Sequence, residues 1–244
     1  MRSACPDGTW TLHEHPVVTS TNLVAGKLPA WNAVRADIQT QGRGRFQRAW
    51  VSDKGGLWLS AVVPLGPDPL QRRALPLAAG LAVCETLNEL GISGFRLRWP
   101  NDVLVGNKKL AGLLIDQFVA GLAVIGIGIN VTNRPEATDP QLVNLVARMA
   151  DLLSKPPDLA SLTIRVLRHL RSTLLALETQ GTSALFLRVN QLWLPPRTVE
   201  LDLDGKLASG VFHGIDSQGR LTLADASGNL AFFDAHQVRH LTEI

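Results

Sequence analysis

Apolar and polar positions follow two rhythms along this chain, and the switches between them outline a fold. A strand-like region starting near Thr9 ends in Val17, Val18 and Thr19, and Ala33–Ile38 reads as another strand. Between them, Ser20-Thr21-Asn22 precedes Leu23-Val24-Ala25 and Gly26, which predicts a short capped helix. N-capping is the plain role for the Ser20 and Thr21 hydroxyls; facing a ligand is the other. Leu57–Val63 is almost continuously apolar, as a strand covered on both faces should be. Leu122–Asn130 has the same texture, with Gly126 and Gly128 permitting close approach of a ligand or another backbone. Leu77, Ala78, Leu81, Ala82, Leu87 and Leu90 recur at helical spacing, which predicts a helix from about Pro76 to Leu90, closed by Gly91. A longer amphipathic helix is predicted from Asp158 to Gln180, ending at Gly181, with a shorter one running to Trp193.

After Pro195-Pro196 the texture changes to short alternating strands separated by Asp204-Gly205, Asp216–Gly219 and Ser227-Gly228-Asn229. That pattern predicts a small β-barrel. The expected architecture is α+β: residues 1–194 as a mixed β-sheet flanked by helices, then residues 195–244 as the barrel.

The composition, 45% hydrophobic and 18% charged over 244 residues, supports a sizeable core and argues against disorder. A formal charge of +3 is too small to make nucleic acid the default partner. The two cysteines, Cys5 and Cys84, lie far apart and suggest no disulfide framework. The N-terminus lacks the apolar run of a signal peptide, and no apolar stretch approaches the ~20 residues of a membrane helix. These readings predict a cytoplasmic protein that neither crosses a membrane nor binds DNA.

Positive charge is concentrated instead in Gln39–Trp50, Gln-Thr-Gln-Gly-Arg-Gly-Arg-Phe-Gln-Arg-Ala-Trp. Gly42 and Gly44 clear space for backbone N–H groups around an anion, and Arg43, Arg45 and Arg48 supply fixed charges suited to carboxylate or phosphate oxygens. Such a run is often only a solvated loop, but here it is pinned between two apolar strands. A second informative stretch is Arg98-Trp-Pro-Asn-Asp102, leading through the Gly106-Asn107 turn to Lys109. Hairpin geometry can bring Asp102 and Lys109 together, as a site or as a surface ion pair. Gly126-x-Gly128 is not a dinucleotide fingerprint, since no third glycine or helix follows, and a P-loop is missing from the sequence. The pairs His13/His15 and His236/His240 lack a supporting ligand set and read as surface residues. No Ser-His-Asp or Cys-His pattern suggests covalent catalysis.

Taken together, Ser20-Thr21-Asn22, Gln39 with Gly42-Arg43-Gly44-Arg45 and Arg48-x-Trp50, Arg98–Asp102, Lys109-Leu-Ala-Gly112 and Gly126–Asn130 resemble the bacterial biotin–protein ligases, in that family's order. The resemblance implies a class II synthetase-like catalytic domain, an SH3-like C-terminal barrel, and a two-step reaction. Biotin and MgATP give biotinyl-5′-AMP and pyrophosphate, and biotin then passes to one lysine of a biotin carboxyl carrier domain. It further implies that Ser20, Thr21, Asn22, Gln39, Gly42, Arg43, Gly44, Gly112 and Gly126, with Lys109, hold biotin. Arg43, Arg45, Arg48, Trp50, Asn101, Lys109 and Asn130 then face ATP, and Lys109, Arg45 and Asp102 serve catalysis. Asp102 is the family position linked to Mg²⁺ and to deprotonating the incoming lysine, although no dedicated metal site is expected. With ligase motifs starting by residue 20, the resemblance is to the monofunctional class without a DNA-binding domain, with a homodimer through edge strands as an option. Phe46 and Arg98 depart from the family, where arginine and lysine are usual, and no aromatic after Asn130 is available to cover adenine. The rival readings are a lipoate or octanoate ligase of the same fold, a nucleic-acid-binding protein, and a chain that only binds biotin.

Overall fold

The computed structural model describes residues 2–5, 8–193 and 197–244, so the Pro195-Pro196 boundary lies outside the described residues. Eight strands form one mixed sheet: β1 (Arg2–Ala4), β2 (Thr11–Val18), β3 (Asn32–Gln39), β4 (Leu57–Pro64), β5 (Phe95–Arg98), β6 (Asp102–Val105), β7 (Lys108–Asp116) and β8 (Leu122–Ile129). Their order is β1-β2-β3-β4-β8-β7-β6-β5, with β2 and β3 parallel and every other pair antiparallel. The near-continuous apolar run of β4 follows from its central place, where every residue except Pro64 is buried.

The two faces are separated by the period of 2 along each strand. Val34, Val62 and Val124 pack on one face against Ala25 of the short helix α1 (Thr21–Ala25). The opposite face carries Ala33, Ala61, Val63 and Ile125 into the main core. There it meets two long helices, α2 (Pro69–Glu89) and α4 (Leu159–Trp193), which also pack on each other; α3 (Pro135–Thr138) is a single turn.

Helix α2 begins earlier than its apolar spacing suggested. Pro69 occupies the first turn and the Asp68 side chain accepts a hydrogen bond from the Leu70 N–H (2.9 Å), so the helix is capped well before Pro76. Pro76 sits inside it, and the carbonyl it leaves without an N–H partner belongs to exposed Arg72, within reach of water. Asp158 accepts from Ser161 N–H (2.9 Å) at the start of α4, and the helix breaks at Gly181, whose φ is 79°, before resuming to Trp193. Both ends and the break match the sequence expectation.

The C-terminal strands β9 (Thr198–Asp202), β10 (Leu207–Ile215), β11 (Leu221–Ala224), β12 (Leu230–Phe233) and β13 (His240–Glu243) form an antiparallel sheet in the order β12-β11-β10-β9-β13. A second small sheet of this kind is consistent with a barrel-like domain. It is joined to the rest by apolar contact, with the Trp193 and Phe212 rings 4.1 Å apart, and by buried charge. Arg96 on β5 meets Glu243 on β13 at 2.6 Å, and Arg197 meets the same carboxylate at 3.0 Å. No helix among the described residues is long and apolar enough to cross a membrane.

The link between α2 and α4 carries a pH dependence. Hydrogen bonds from Arg168 and His169 hold the Glu89 carboxyl down to about 2, and Arg165 pairs with it too. A depressed acid contributes stability above its ordinary value of 4.5 and loses it as pH falls toward about 2. Glu89→Gln is expected to lower the urea midpoint at neutral pH by an amount that shrinks across that window. A difference from the parent that stays constant from pH 7 down to the acid limb would show that Glu89 is not the linked group.

Candidate functional site

The site occupies the α1 face of the sheet, and its floor is made by missing side chains. In register across the strands run Asp102, Gly112, Gly128, Trp58 and Ala36, with Leu114, Gly126, Ser60 and Val34 in the next row. Glycine at three of these positions leaves a trough in an otherwise apolar sheet. The Trp50 indole lies on Gly112 and Gly128, where an added Cβ would come within 2.9 and 2.7 Å of it. The Asn22 amide lies on Gly126, where a Cβ would meet Asn Oδ1 at 2.5 Å.

One end of the trough is a polar chain. Thr21 donates to Gln39 Oε1 from its N–H (2.8 Å) and its hydroxyl (2.9 Å), and Gln39 Nε2 donates to Ser52 Oγ (2.9 Å). Ser60 Oγ lies 2.7 Å from Thr21 Oγ1 and 2.5 Å from Asn22 Oδ1, and Asn22 Nδ2 donates to Asp116 Oδ2 at 2.7 Å. Ser20 stands at the N-cap of α1 without a side-chain capping bond, so its buried hydroxyl is not used as a cap. The Thr21 hydroxyl likewise belongs to this chain of polar groups.

The other end is charged. Lys109 Nζ lies 2.7 Å from Asp102 Oδ1, and Arg98 Nη2 donates to Asp102 Oδ2 at 2.8 Å. Lys109 reaches this face through a bulge: Val103 pairs with Ala111 but Leu104 pairs with Lys109, leaving Leu110 as the extra residue. Without that insertion, alternation from Gly112 would put Leu110 on the site face and Lys109 in the core. With it, Leu110 is fully buried in the core and the ammonium sits 4.9 Å from the Trp50 ring centre. Burial pushes the Asp102 carboxyl up, but Lys109 and then Arg98 outweigh this and hold it below the ordinary carboxylate range. It is a charged acceptor at neutral pH.

The glycine–arginine loop closes over the trough. Arg43 bridges Ala49, Trp50 N–H bonds the Gly42 carbonyl (2.9 Å) and Gly44 N–H bonds the Arg48 carbonyl (2.8 Å). Gly42 is required because a Cβ there would come within 2.4 Å of Ser52 Oγ and the Trp50 carbonyl. Phe46 and Gln47 adopt positive φ (54° and 60°) at the tip. Arg45 does not point into open space: its Nη2 donates to the carbonyls of Ala235 and Val238 (3.1 Å to the latter) in the C-terminal segment. Phe46 lies between the guanidinium groups of Arg45 and Arg239, 4.8 and 4.4 Å from its ring centre. The Arg43 side chain bonds Gln47 (3.1 Å), and Arg48 approaches His240 Nδ1 (3.4 Å).

These parts surround one cleft of about 910 Å³. Every site residue expected from the sequence lines it except Gly42, which supports the loop from behind. Asn101 and Asn130 line it with their amides engaged, Asn101 to the Leu113 carbonyl (2.8 Å) and Asn130 to the Lys109 carbonyl (3.4 Å) and Asn133 (3.0 Å). Four contributors were missed: Ser52, Ser60 and Asp116 in the polar chain, and His240 on β13. Ser60 left a readable trace, a lone hydroxyl inside the apolar run of β4. The others depend on long-range contacts. Among the described residues no cluster of three His, Cys, Asp or Glu forms a metal cage, and Asp102 is committed to Lys109 and Arg98.

The chain resembles proteins of known family over most of its length. The model of the biotin/lipoate A/B protein ligase family matches residues 16–131. A biotin–[acetyl-CoA-carboxylase] ligase from Mycobacterium tuberculosis is 36% identical over 241 residues, covering 92% of this chain and 88% of the relative. The bifunctional ligase/repressor BirA of Escherichia coli is 33% identical over 218 residues, covering 85% of this chain and 67% of the relative. A solved biotin protein ligase from Aquifex aeolicus, in complex with biotin and ATP, matches with a TM-score of 0.84 at 26% identity, over 96% of this chain and 99% of that one. The chain belongs to the biotin/lipoate protein ligase family, among its biotin protein ligases.

The Asp102 cluster makes a measurable claim. In Lys109→Met, burial is opposed chiefly by Arg98, so the Asp102 carboxyl titrates at higher pH, readable by carboxyl-carbon NMR. A depressed acid adds stability above its ordinary value of 3.8 and loses it as pH falls. The variant should therefore lose about 1–3 kcal/mol near neutral pH and less near pH 3. An unmoved Asp102 titration would contradict the role given to Lys109.

Proposed function

We propose that the chain activates biotin with ATP as biotinyl-5′-AMP, releases pyrophosphate, and transfers biotin to a lysine of a carboxylase's biotin carboxyl carrier domain. The observation that carries this reading is the meeting, in one trough, of the Thr21–Gln39–Ser60–Asn22 chain with the Asp102–Lys109 pair. The polar chain suits a cyclic urea, which has both N–H donors and a carbonyl acceptor to satisfy. A dithiolane or an alkyl chain would leave those buried groups unmatched, which favours biotin over lipoate or octanoate. Biotin's ring then lies over Gly126, and its carboxylate extends toward Lys109 and Trp50.

In the first step a biotin carboxylate oxygen attacks the α-phosphorus, and the bond from that phosphorus to the β-phosphate oxygen breaks. Two anions must approach, and Lys109, Arg43 and Arg48 supply the charge that makes this possible. Arg45 contributes by fixing the loop to the C-terminal sheet, an assignment that revises its expected place on the phosphates. Magnesium, which the family resemblance implies, would come with the nucleotide's phosphates and neutralise part of their charge.

In the second step the acceptor amine attacks the acyl carbon and AMP leaves. A carboxylate held as low as Asp102 is a weak proton acceptor. Asp102 therefore acts by holding Lys109 and orienting the incoming lysine, whose ammonium gives one proton to solvent before the neutral amine attacks and a second as the acyl–phosphate C–O bond breaks and AMP leaves. We include in the proposal the division at residues 194 and 195, with the C-terminal sheet as the cleft's far wall.

The test is Lys109→Met assayed for biotin-dependent pyrophosphate release. A loss of roughly 100-fold or more is expected, with biotin affinity within about tenfold of the parent. Near-parental release from the folded variant would remove Lys109 from the chemistry.

A further inference from the structure

The cleft's far wall carries a group that neither the motifs nor the polar chain accounts for. His240 begins β13, two residues beyond the Val238 carbonyl that accepts from Arg45, and its Nδ1 faces Arg48 Nη1 at 3.4 Å. Both residues line the cleft, as does Arg98. Among the described residues Arg48 forms no ion pair with a carboxylate, and its one side-chain bond is this approach to a group that is itself able to carry positive charge. An arginine facing a histidine with no acid in contact is a poor arrangement for an empty protein and a good one for a bound polyanion.

Charges reach His240 from every side. Arg48 comes from the glycine–arginine loop, Arg98 from β5, Asp102 from β6 and Asp202 from the paired strand β9. Asp102 is committed to Lys109 and Arg98, and Asp202 takes Gly205 N–H at 2.8 Å. Partial burial of this residue, whose outer edge is exposed, then Arg48 and Arg98, push the imidazole below its ordinary value of 6.5 and favour its neutral form. An anion lying between it and Arg48 would reverse that balance, drawing a proton onto the ring.

We propose that His240 and Arg48 together form the subsite for the departing pyrophosphate, with His240 gaining a proton as the pyrophosphate binds. The inference rests on the adenylating reaction proposed above and adds a residue from the C-terminal sheet to it. When the bond to the α-phosphorus breaks, charge moves onto the β-phosphate, and a histidinium at the wall would receive it. Because a neutral imidazole returns at higher pH, the subsite would grip the leaving group most firmly on the acid side and release it more readily as pH rises.

The experiment measures inhibition of biotin-dependent adenylation by inorganic pyrophosphate from pH 6 to pH 8, for the parent, His240→Gln and His240→Lys. The ionisation of pyrophosphate is common to all three, so the ratio between variants isolates the side chain. His240→Gln should bind pyrophosphate about tenfold more weakly at pH 6 and about twofold or less at pH 8. His240→Lys, which keeps its charge, should hold pyrophosphate with no such fall across the range. Equal inhibition of parent and His240→Gln at both pH values would overturn the proposal, as would a ratio independent of pH. Biotin affinity and carrier labelling by the parent, measured in the same preparation, separate the two readings: a parent that does not label a carrier fails as a biotin ligase, while one that labels and shows no His240 effect fails only here.

Discussion

One inserted residue governs the chemistry of this cleft. The bulge at Leu110 shifts the side-chain alternation of β7, so a leucine that would face the trough is buried and a lysine that would be buried faces Asp102. A charged ammonium left in the apolar core would be far more costly than the irregular ladder, so the insertion and the ion pair require each other. The bulged residue's neighbours are also tied down, since Lys109 N–H bonds the Leu145 carbonyl (2.8 Å) and Ala147 N–H bonds the Lys109 carbonyl (2.9 Å). The lysine is thus held by its backbone on one side and by its charge on the other.

The same economy of means recurs across the site. Three glycines on one sheet face make the floor, and the groups that fill it, the Trp50 indole and the Asn22 amide, come from the loop and the short helix above. The loop in turn is held from outside the sheet, by Arg45 on the Ala235 and Val238 carbonyls and Phe46 between two guanidinium groups. Phe46, an oddity within the family pattern, gains a physical reason here: an aromatic face can stack on Arg239, where another cation would be repelled. The C-terminal segment is therefore part of the site's construction, because it fixes the loop that covers the cleft.

Much of this was legible in the sequence because the relevant signals are local. Continuous apolarity marked β4, glycine marked the break at residue 181, and the Gly106-Asn107 turn brought Asp102 and Lys109 together. Pro76 misled because proline usually opens a helix, while the effective cap, Asp68-Pro69, looked like a turn. The contact of Arg45 with a carbonyl 190 residues away was not legible, because nothing near it in sequence announces that partner. Asp116 and His240 share that cause, since their partners Asn22 and Arg48 lie 94 and 192 residues away. Of the arginines that inspired the nucleic-acid reading, Arg45 is turned onto the protein's own carbonyls, and Arg43 and Arg48 line the cleft.

The central claim is that this trough selects biotin and activates it with ATP. Its most direct measurement is labelling of a purified biotin carboxyl carrier domain by the full chain, with ATP and Mg²⁺, offered biotin, lipoate and octanoate in parallel. The account predicts labelling by biotin alone, lost when ATP is withheld. Labelling by lipoate or octanoate, or tight biotin binding without any ATP-dependent transfer, would contradict it.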